Sequence, residues 1–218
     1  MRTVPECGVD ETSKGLSSAS MTAPFSIIIP AAGASSRMRG GDKLMEDVDG
    51  KPCIAVMVVR ALAVSQDVIV AVPALDHPRA KALVGLPIQL VPVPDAAEGM
   101  SRSLQRAALL VPQSHGAMIL PGDMPDLSGK DLTTVASEFS GDEIVRAAAA
   151  DGTPGHPIIF PAAALLSFSA LEGDRGAAPI VARGTYRIKK VQLESDAPIL
   201  DLDTPEAWAD FRQRMLKA

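Results

Sequence analysis

Residues with chemistry to offer fall in a few short loops of the 218-residue chain. The richest is Ile27-Ile-Ile-Pro-Ala-Ala-Gly-Ala-Ser-Ser-Arg-Met-Arg-Gly-Gly-Asp-Lys43, an apolar run that breaks into small residues and then into the cations Arg37, Arg39 and Lys43. Small residues let backbone N–H groups approach an anion, and basic side chains add charge. The segment therefore suits a phosphate. Lys43 is followed by Leu44, which excludes a Gly-Lys-Ser/Thr phosphate loop, and the interval from Gly33 to Gly40 excludes Gly-x-Gly-x-x-Gly. A surface loop with solvated charges is the plain alternative.

A second segment, Ile119-Leu-Pro-Gly-Asp-Met-Pro-Asp126, brings Asp123 to the end of a hydrophobic run. A carboxylate there is placed to hold Mg²⁺ against a triphosphate, because Mg²⁺ takes few protein carboxylates and completes its shell with phosphate oxygens and water. A turn aspartate bonded to its own backbone is the alternative. In Asp201-Leu-Asp203-Thr204-Pro205, extended backbone points Asp201 and Asp203 to one side, while Thr204 supplies an ordinary helix cap. Three Gly-containing turns carry further polar groups: Glu98–Ser103, Gly155-His156-Pro157 and Gly173–Gly176 with Asp174. Each alone reads more readily as structural.

Composition removes several functions. Twenty-one Lys and Arg against 26 Asp and Glu give a net charge of -5, without the broad positive field that duplex DNA or anionic membranes require. One Trp, one Tyr and five Phe are too few for single-stranded nucleic-acid stacking. The partner expected is neither nucleic acid nor membrane. Cys7 and Cys53 make no disulfide framework or zinc site by themselves, so a reducing cytoplasm is the natural location. The first 24 residues lack an apolar signal-peptide core and read as a mobile leader before one domain, 25–218.

The loops need elements to position them. Strands are expected at Phe25–Ala31, Asp67–Val72, Ile88–Val91, Ala117–Leu120, Ile144–Ala149, Pro157–Phe160 and Tyr186–Leu193. Several are unbroken Ile- and Val-rich runs, which suits a sheet covered on both faces. Helices are expected from Pro52 at a first-turn position through Ala63, over His77–Val84, Ser101–Leu110 and Lys130–Phe139, and from Thr204-Pro205 to about Met215. Ser128 and Asp131 have capping-box spacing. Strand and helix alternating at this spacing predict an α/β fold with a mostly parallel sheet, whose ligands sit beyond the carboxyl ends of the strands.

In this order the loops resemble the nucleotidyltransferases that act on the molybdenum cofactor. Ala31-Ala-Gly-x-Ser-x-Arg-Met…Lys43 carries the general signature. Gly99-Met-Ser-x-Ser103, Gly122-Asp-Met-Pro125, Gly155-His-Pro157, Gly173-Asp-Arg-Gly-Ala177 and Asp201-x-Asp-Thr-Pro205 are similar to its cytidylyltransferase branch, as is Ala-Ala-Gly at 31–33. The likeness spans Ile27 to Trp208. It implies a single Rossmann-like three-layer αβα sandwich of the nucleotide-diphospho-sugar transferase type, and transfer of CMP from CTP to the terminal phosphate of molybdopterin with release of pyrophosphate. It further implies Arg37 and Lys43 on the triphosphate, Ala31, Ala32, Gly33, Ala34 and Ser35 facing the nucleotide, and Gly99, Met100, Ser101 and Ser103 near it. Asp123 would hold Mg²⁺ with Asp203 as second ligand, and His156 and Asp174 would face the pterin. The implied partners are CTP, molybdopterin and a molybdenum hydroxylase that receives the product. Arg39 departs from the pattern by standing where many members have Gly, which leaves the base preference open. Two other classes stay open as well. One is transfer from another nucleoside triphosphate or to another acceptor, including guanylyl transfer to molybdopterin or transfer to a sugar or polyol phosphate. The other is a carrier that binds the cofactor without turnover.

Overall fold

The computed structural model describes residues 22–217. The expected leader, 1–24, lies outside the described residues except at its end, where the Ala23 N–H donates to the Phe139 carbonyl at 3.1 Å. The elements in chain order are β1 (Phe25–Pro30), the short hairpin β2 (Asp47–Val48) and β3 (Lys51–Pro52), α1 (Cys53–Leu62), β4 (Val68–Val72), α2 (Pro78–Lys81) and β5 (Gln89–Pro92). Then come α3 (Met100–Ala108), β6 (Gly116–Ile119), α4 (Gly129–Ser137), β7 (Ile144–Ala148), β8 (Pro154–Phe160), α5 (Ala162–Leu165), α6 (Ala178–Ala182), β9 (Ile188–Gln192) and α7 (Pro205–Met215).

Seven strands form one sheet in the order β5-β4-β1-β6-β8-β7-β9. All pairings are parallel except those of β8, which runs against both β6 and β7. The unbroken apolar runs are explained by helices on both faces. Ile27 and Ile29 of β1 pack with Ile54 and Met57 of α1, Val135 of α4 and Trp208 of α7. Ile28, between them, points the other way to Leu104 of α3, Ala164 of α5 and Ile180 of α6. The result is a three-layer α/β sandwich with a mostly parallel sheet, as the pattern predicted.

Local chemistry accounts for several boundaries. Ser128 and Asp131 form the expected capping box at α4, each side chain receiving the other residue's backbone N–H. Thr204 accepts the Ala207 N–H at 3.2 Å and opens α7 before Pro205. Pro52 sits one position earlier than expected, as the cap of α1, because it belongs to the β2–β3 hairpin. The helix expected over 77–84 has only four α-helical residues, with the His77 side chain accepting the Arg79 N–H. The hairpin and the short helices α5 and α6 have no counterpart in the sequence expectations.

Strand order reverses around β1: the chain moves from β1 to β4 on one side and later returns to β6 on the other. The carboxyl ends of β1 and β6 therefore open one crevice. Antiparallel β8 sends its first residues to that same edge, since Ala148 at the end of β7 pairs with Pro154.

Helix α7 closes the first layer through Trp208, which is fully buried and donates its indole N–H to the Leu202 carbonyl at 2.9 Å. Trp208→Ala removes that wedge and should cost about 3–5 kcal/mol. A urea titration followed by far-UV circular dichroism checks this; a midpoint within error of wild type would contradict the packing role.

Candidate active site

Three loops converge beyond β1 and β6. Asp123 arrives on the turn after β6, which is pinned from several sides. The Arg60 guanidinium of α1 donates to the carbonyls of Pro125 and Leu127 at 2.6 and 2.8 Å, and the Cys53 thiol donates to the Gly122 carbonyl at 3.2 Å. Burial, with the nearby Asp123 charge second, pushes the Cys53 thiol up to about 12. It is an inert structural group, not a nucleophile.

Leu202 brings the other carboxylates. Its N–H donates to the Asp123 carbonyl at 3.0 Å and its side chain is buried. The flanking Asp201 and Asp203 therefore project together to the opposite side, as the alternation predicted. Carboxylate oxygens of Asp123, Asp201 and Asp203 lie within 4.8 Å of one another, with Asp123 only 7% exposed.

Cations from the first loop hold this negative cluster. Lys43 Nζ donates to Asp123 Oδ2 and to Asp203 Oδ1, each at 2.5 Å, and Arg37 pairs with the other Asp203 oxygen. The cluster Arg37, Arg39 and Lys43 expected around a phosphate is divided. Arg39 turns outward to Glu206 of α7 at 2.8 Å. Left-handed backbone at Arg39 (φ 51°) and Gly40 (φ 96°) makes that turn and takes up the extra residue before Lys43.

Arg79, which no sequence feature marked, organises the loop. Its guanidinium is 3% exposed and donates to the carbonyls of Ala31 and Gly33, each at 2.7 Å, and to Ser35 Oγ at 3.0 Å. Nε and Nη2 also grip both oxygens of Asp42 at 2.8 Å. A planar fork is the geometry such a grip needs. Ala31 and Ala32 are buried, Gly33 and Ala34 exposed, and Ser35 half-buried; Ser36 and Arg37 then line the cleft.

The opposite wall is the start of α3. Gly99 (φ 117°) lies so close to Gly173 that a Cβ would sit 2.4 Å from its carbonyl carbon. Asp174 Oδ1 accepts the Met100 N–H and the Gly173 carbonyl accepts that of Ser101, both at 3.1 Å. Ser101 and Ser103 face the interior, while Met100 and Asp174 border the cleft. His156 lies in the same cleft, whose volume is about 670 Å³. Its Nδ1 is buried without a partner, and burial, followed by the Arg146 charge, lowers its pKa and keeps it neutral at pH 7. Arg146, also in this cleft, is a second residue outside the sequence expectations. Its trace is a single cation inside the apolar run Ile144–Ala149.

A converging carboxylate triad with one buried member, cations on a glycine-bearing loop, and a cleft at a topological switch point together have the chemistry that a metal-bound polyphosphate would require. A model of the MobA-like NTP transferase domain matches residues 27–190, and the chain belongs to that nucleotidyltransferase family. Solved structures share the fold. Mth528, a nucleotidyl transferase from Methanothermobacter thermautotrophicus, superposes with a TM-score of 0.77 at 21% identity, covering 89% of this chain and 98% of its own. Rv0371c from Mycobacterium tuberculosis H37Rv gives 0.71 at 24% identity over 90% and 100%; in complex with manganese it gives 0.70 at 20% over 88% and 99%. The 4-diphosphocytidyl-2C-methyl-D-erythritol synthase of Anaerococcus prevotii gives 0.69 at 16% over 90% and 100%. No curated protein matches the chain in sequence. Among the described residues no helix is long and apolar enough to cross a membrane.

Arg79→Met should strand two carbonyls and Asp42, costing about 2–3 kcal/mol. Arg79→Lys should recover only part, because an amine cannot reproduce the fork. Urea midpoints of both variants test this; a lysine variant as stable as wild type would show that charge alone suffices.

Proposed function

We propose that the protein transfers CMP from CTP to the terminal phosphate of molybdopterin, or of its molybdenum-bound form, in the cytoplasm, giving molybdopterin cytosine dinucleotide and pyrophosphate. The observation that carries nucleotidyl transfer is the bridging of Asp123 and Asp203 by Lys43, with Arg37 beside it, at the mouth of the switch point. The cytidylyl choice rests on Ala31-Ala32-Gly33 and the ordered motifs from Gly99 to Pro205.

An oxygen of the acceptor phosphate attacks the α-phosphorus of CTP. The new P–O bond forms as the bond to the pyrophosphate oxygen breaks, and pyrophosphate leaves. The attacking phosphate is already anionic, so no strong base is required; positioning and charge neutralisation supply the rate. Three carboxylates within 4.8 Å suit a hard, oxygen-seeking divalent ion, and Mg²⁺ would be held by Asp123 with Asp203. Bound there, it would neutralise phosphate charge. Lys43 and Arg37, released from the carboxylates, neutralise the triphosphate and the leaving pyrophosphate. Arg79 keeps the Ala31–Ser35 backbone in place beneath the nucleotide. Asp174 holds the start of α3, so Met100 stands at a fixed position in the cleft. The product then passes to a molybdenum hydroxylase.

The adjoining pocket favours this acceptor over a sugar. Its walls include Leu104, Ile119, Ile158 and Phe160, while Arg146, His156 and Asp174 are shared with the carboxylate cleft. A polyol would leave hydroxyls unpaired against the apolar walls, whereas a planar ring packs on them.

Pyrophosphate release with CTP, GTP, ATP or UTP, each with and without Mg²⁺ and with molybdopterin as acceptor, tests the reading. Turnover is expected with CTP and Mg²⁺; turnover with GTP alone would move the base, and none with any nucleotide would sink the reaction. A thermal-shift panel reports binding separately: CTP at 100 times its Kd adds about 2.7 kcal/mol and raises Tm by a few degrees. Lys43→Ala should lower turnover by at least ~100-fold with its circular dichroism unchanged. Near-wild-type turnover in that variant would remove Lys43 from the phosphate site.

A further inference from the structure

A second cavity, of about 390 Å³, adjoins the carboxylate cleft and shares Met100, Arg146, His156 and Asp174 with it. Of the four Arg and Lys side chains lining these spaces, Arg37 and Lys43 are paired with Asp203 and Asp123, and Arg175 is exposed to water. Arg146 is different. Nε donates to the Gly155 carbonyl at 3.0 Å and Nη2 to the Pro154 carbonyl at 3.3 Å, so the guanidinium is held in place. Among the described residues it forms no ion pair with a carboxylate. It is half-buried, and that partial burial lowers its pKa, as for a cation that has given up part of its water with no carboxylate beside it.

Beside it, His156 Nδ1 is buried with no hydrogen-bond partner. The unpartnered imidazole nitrogen is the costly group, and a ligand that met it would also meet the half-buried guanidinium beside it. The group that does so is an anion with several oxygens, able to accept from the guanidinium and to share a hydrogen bond with Nδ1. Phosphate fits a planar fork best. The neighbouring walls, Leu104, Ile119, Ile158 and Phe160, then call for an apolar or aromatic body attached to that phosphate.

We infer that Arg146, with His156, forms the receptor for the acceptor's phosphate at the junction of the two cavities, and that the acceptor is a phosphomonoester whose ring-like body fills the apolar pocket. The name acceptor rests on the nucleotidyl-transfer reading; the binding site does not. The position is chemically apt, because the phosphate held by Arg146 borders the cleft that contains Asp123 and Lys43. Arg146 is a binding residue. It orients the attacking oxygen and takes no part in the leaving of pyrophosphate.

Phenyl phosphate is the probe, titrated calorimetrically into the full-length protein, alone and with α,β-methylene-CTP and Mg²⁺ present. Wild type should bind it more tightly than inorganic phosphate and should retain it when the nucleotide analogue is bound. Arg146→Gln should weaken phenyl phosphate at least tenfold and leave the analogue's Kd within about twofold, with Tm unchanged. Ala178→Trp, which fills the pocket from the exposed start of α6, should weaken phenyl phosphate and spare inorganic phosphate. Several results would overturn the inference: no binding by wild type, displacement of the probe by the analogue, undiminished binding in Arg146→Gln, or equal affinity for the two phosphates. Failure of the nucleotidyl-transfer reading would look different, as probe binding lost with Arg146 in a protein that turns over no nucleoside triphosphate.

Discussion

Three carboxylates gathered at one point, one of them almost out of water, repel one another, and the loops around them are arranged to contain that repulsion. Two like charges about 4 Å apart cost on the order of 4 kcal/mol at an effective dielectric constant near 20. Lys43 meets this by standing between Asp123 and Asp203, and Arg37 by covering the second oxygen of Asp203. A site that neutralises itself with flexible cations can exchange them for a metal and a polyphosphate at little net electrostatic cost, which fits a nucleotidyltransferase that must bind and release a highly charged substrate.

Flexible cations work only on a fixed base. Arg79 supplies it beneath the first loop and Arg60 beneath the loop of Asp123, each satisfying backbone carbonyls that no strand or helix can reach. The two arginines act as local scaffolding where regular structure ends. Leu202 does the same for the third loop through one backbone hydrogen bond and one buried side chain. Thus α2 fixes the loop that brings the cations, and α1 the loop that brings Asp123.

The two cavities divide the labour. The polar cleft, with its acids and paired cations, suits a triphosphate. The smaller apolar pocket suits a body that is packed against more than it is hydrogen-bonded. Arg146 and His156 lie where the two meet, and the antiparallel direction of β8 is what puts His156 there: Gly155-His156-Pro157, expected as a turn, is the opening of that strand.

By itself, the sequence determined the layered α/β architecture. Unbroken Ile and Val runs can be satisfied only by a sheet covered on both faces, and Ser128, Thr204 and their partners cap helices by purely local bonds. It also determined that Asp201 and Asp203 share a side, since alternation is a property of extended backbone. Tertiary structure alone decided which charges meet. Arg39, as basic as Arg37 and Lys43 in the same loop, is diverted to Glu206 by two residues in left-handed conformation. Arg79 reads as an ordinary helix residue until the fold brings its guanidinium to loop carbonyls 46 and 48 positions away. The reversed direction of β8 was equally hidden, because strand direction leaves no mark on an apolar run. These outcomes depend on contacts between segments far apart in the chain, and no local pattern of residue types encodes them.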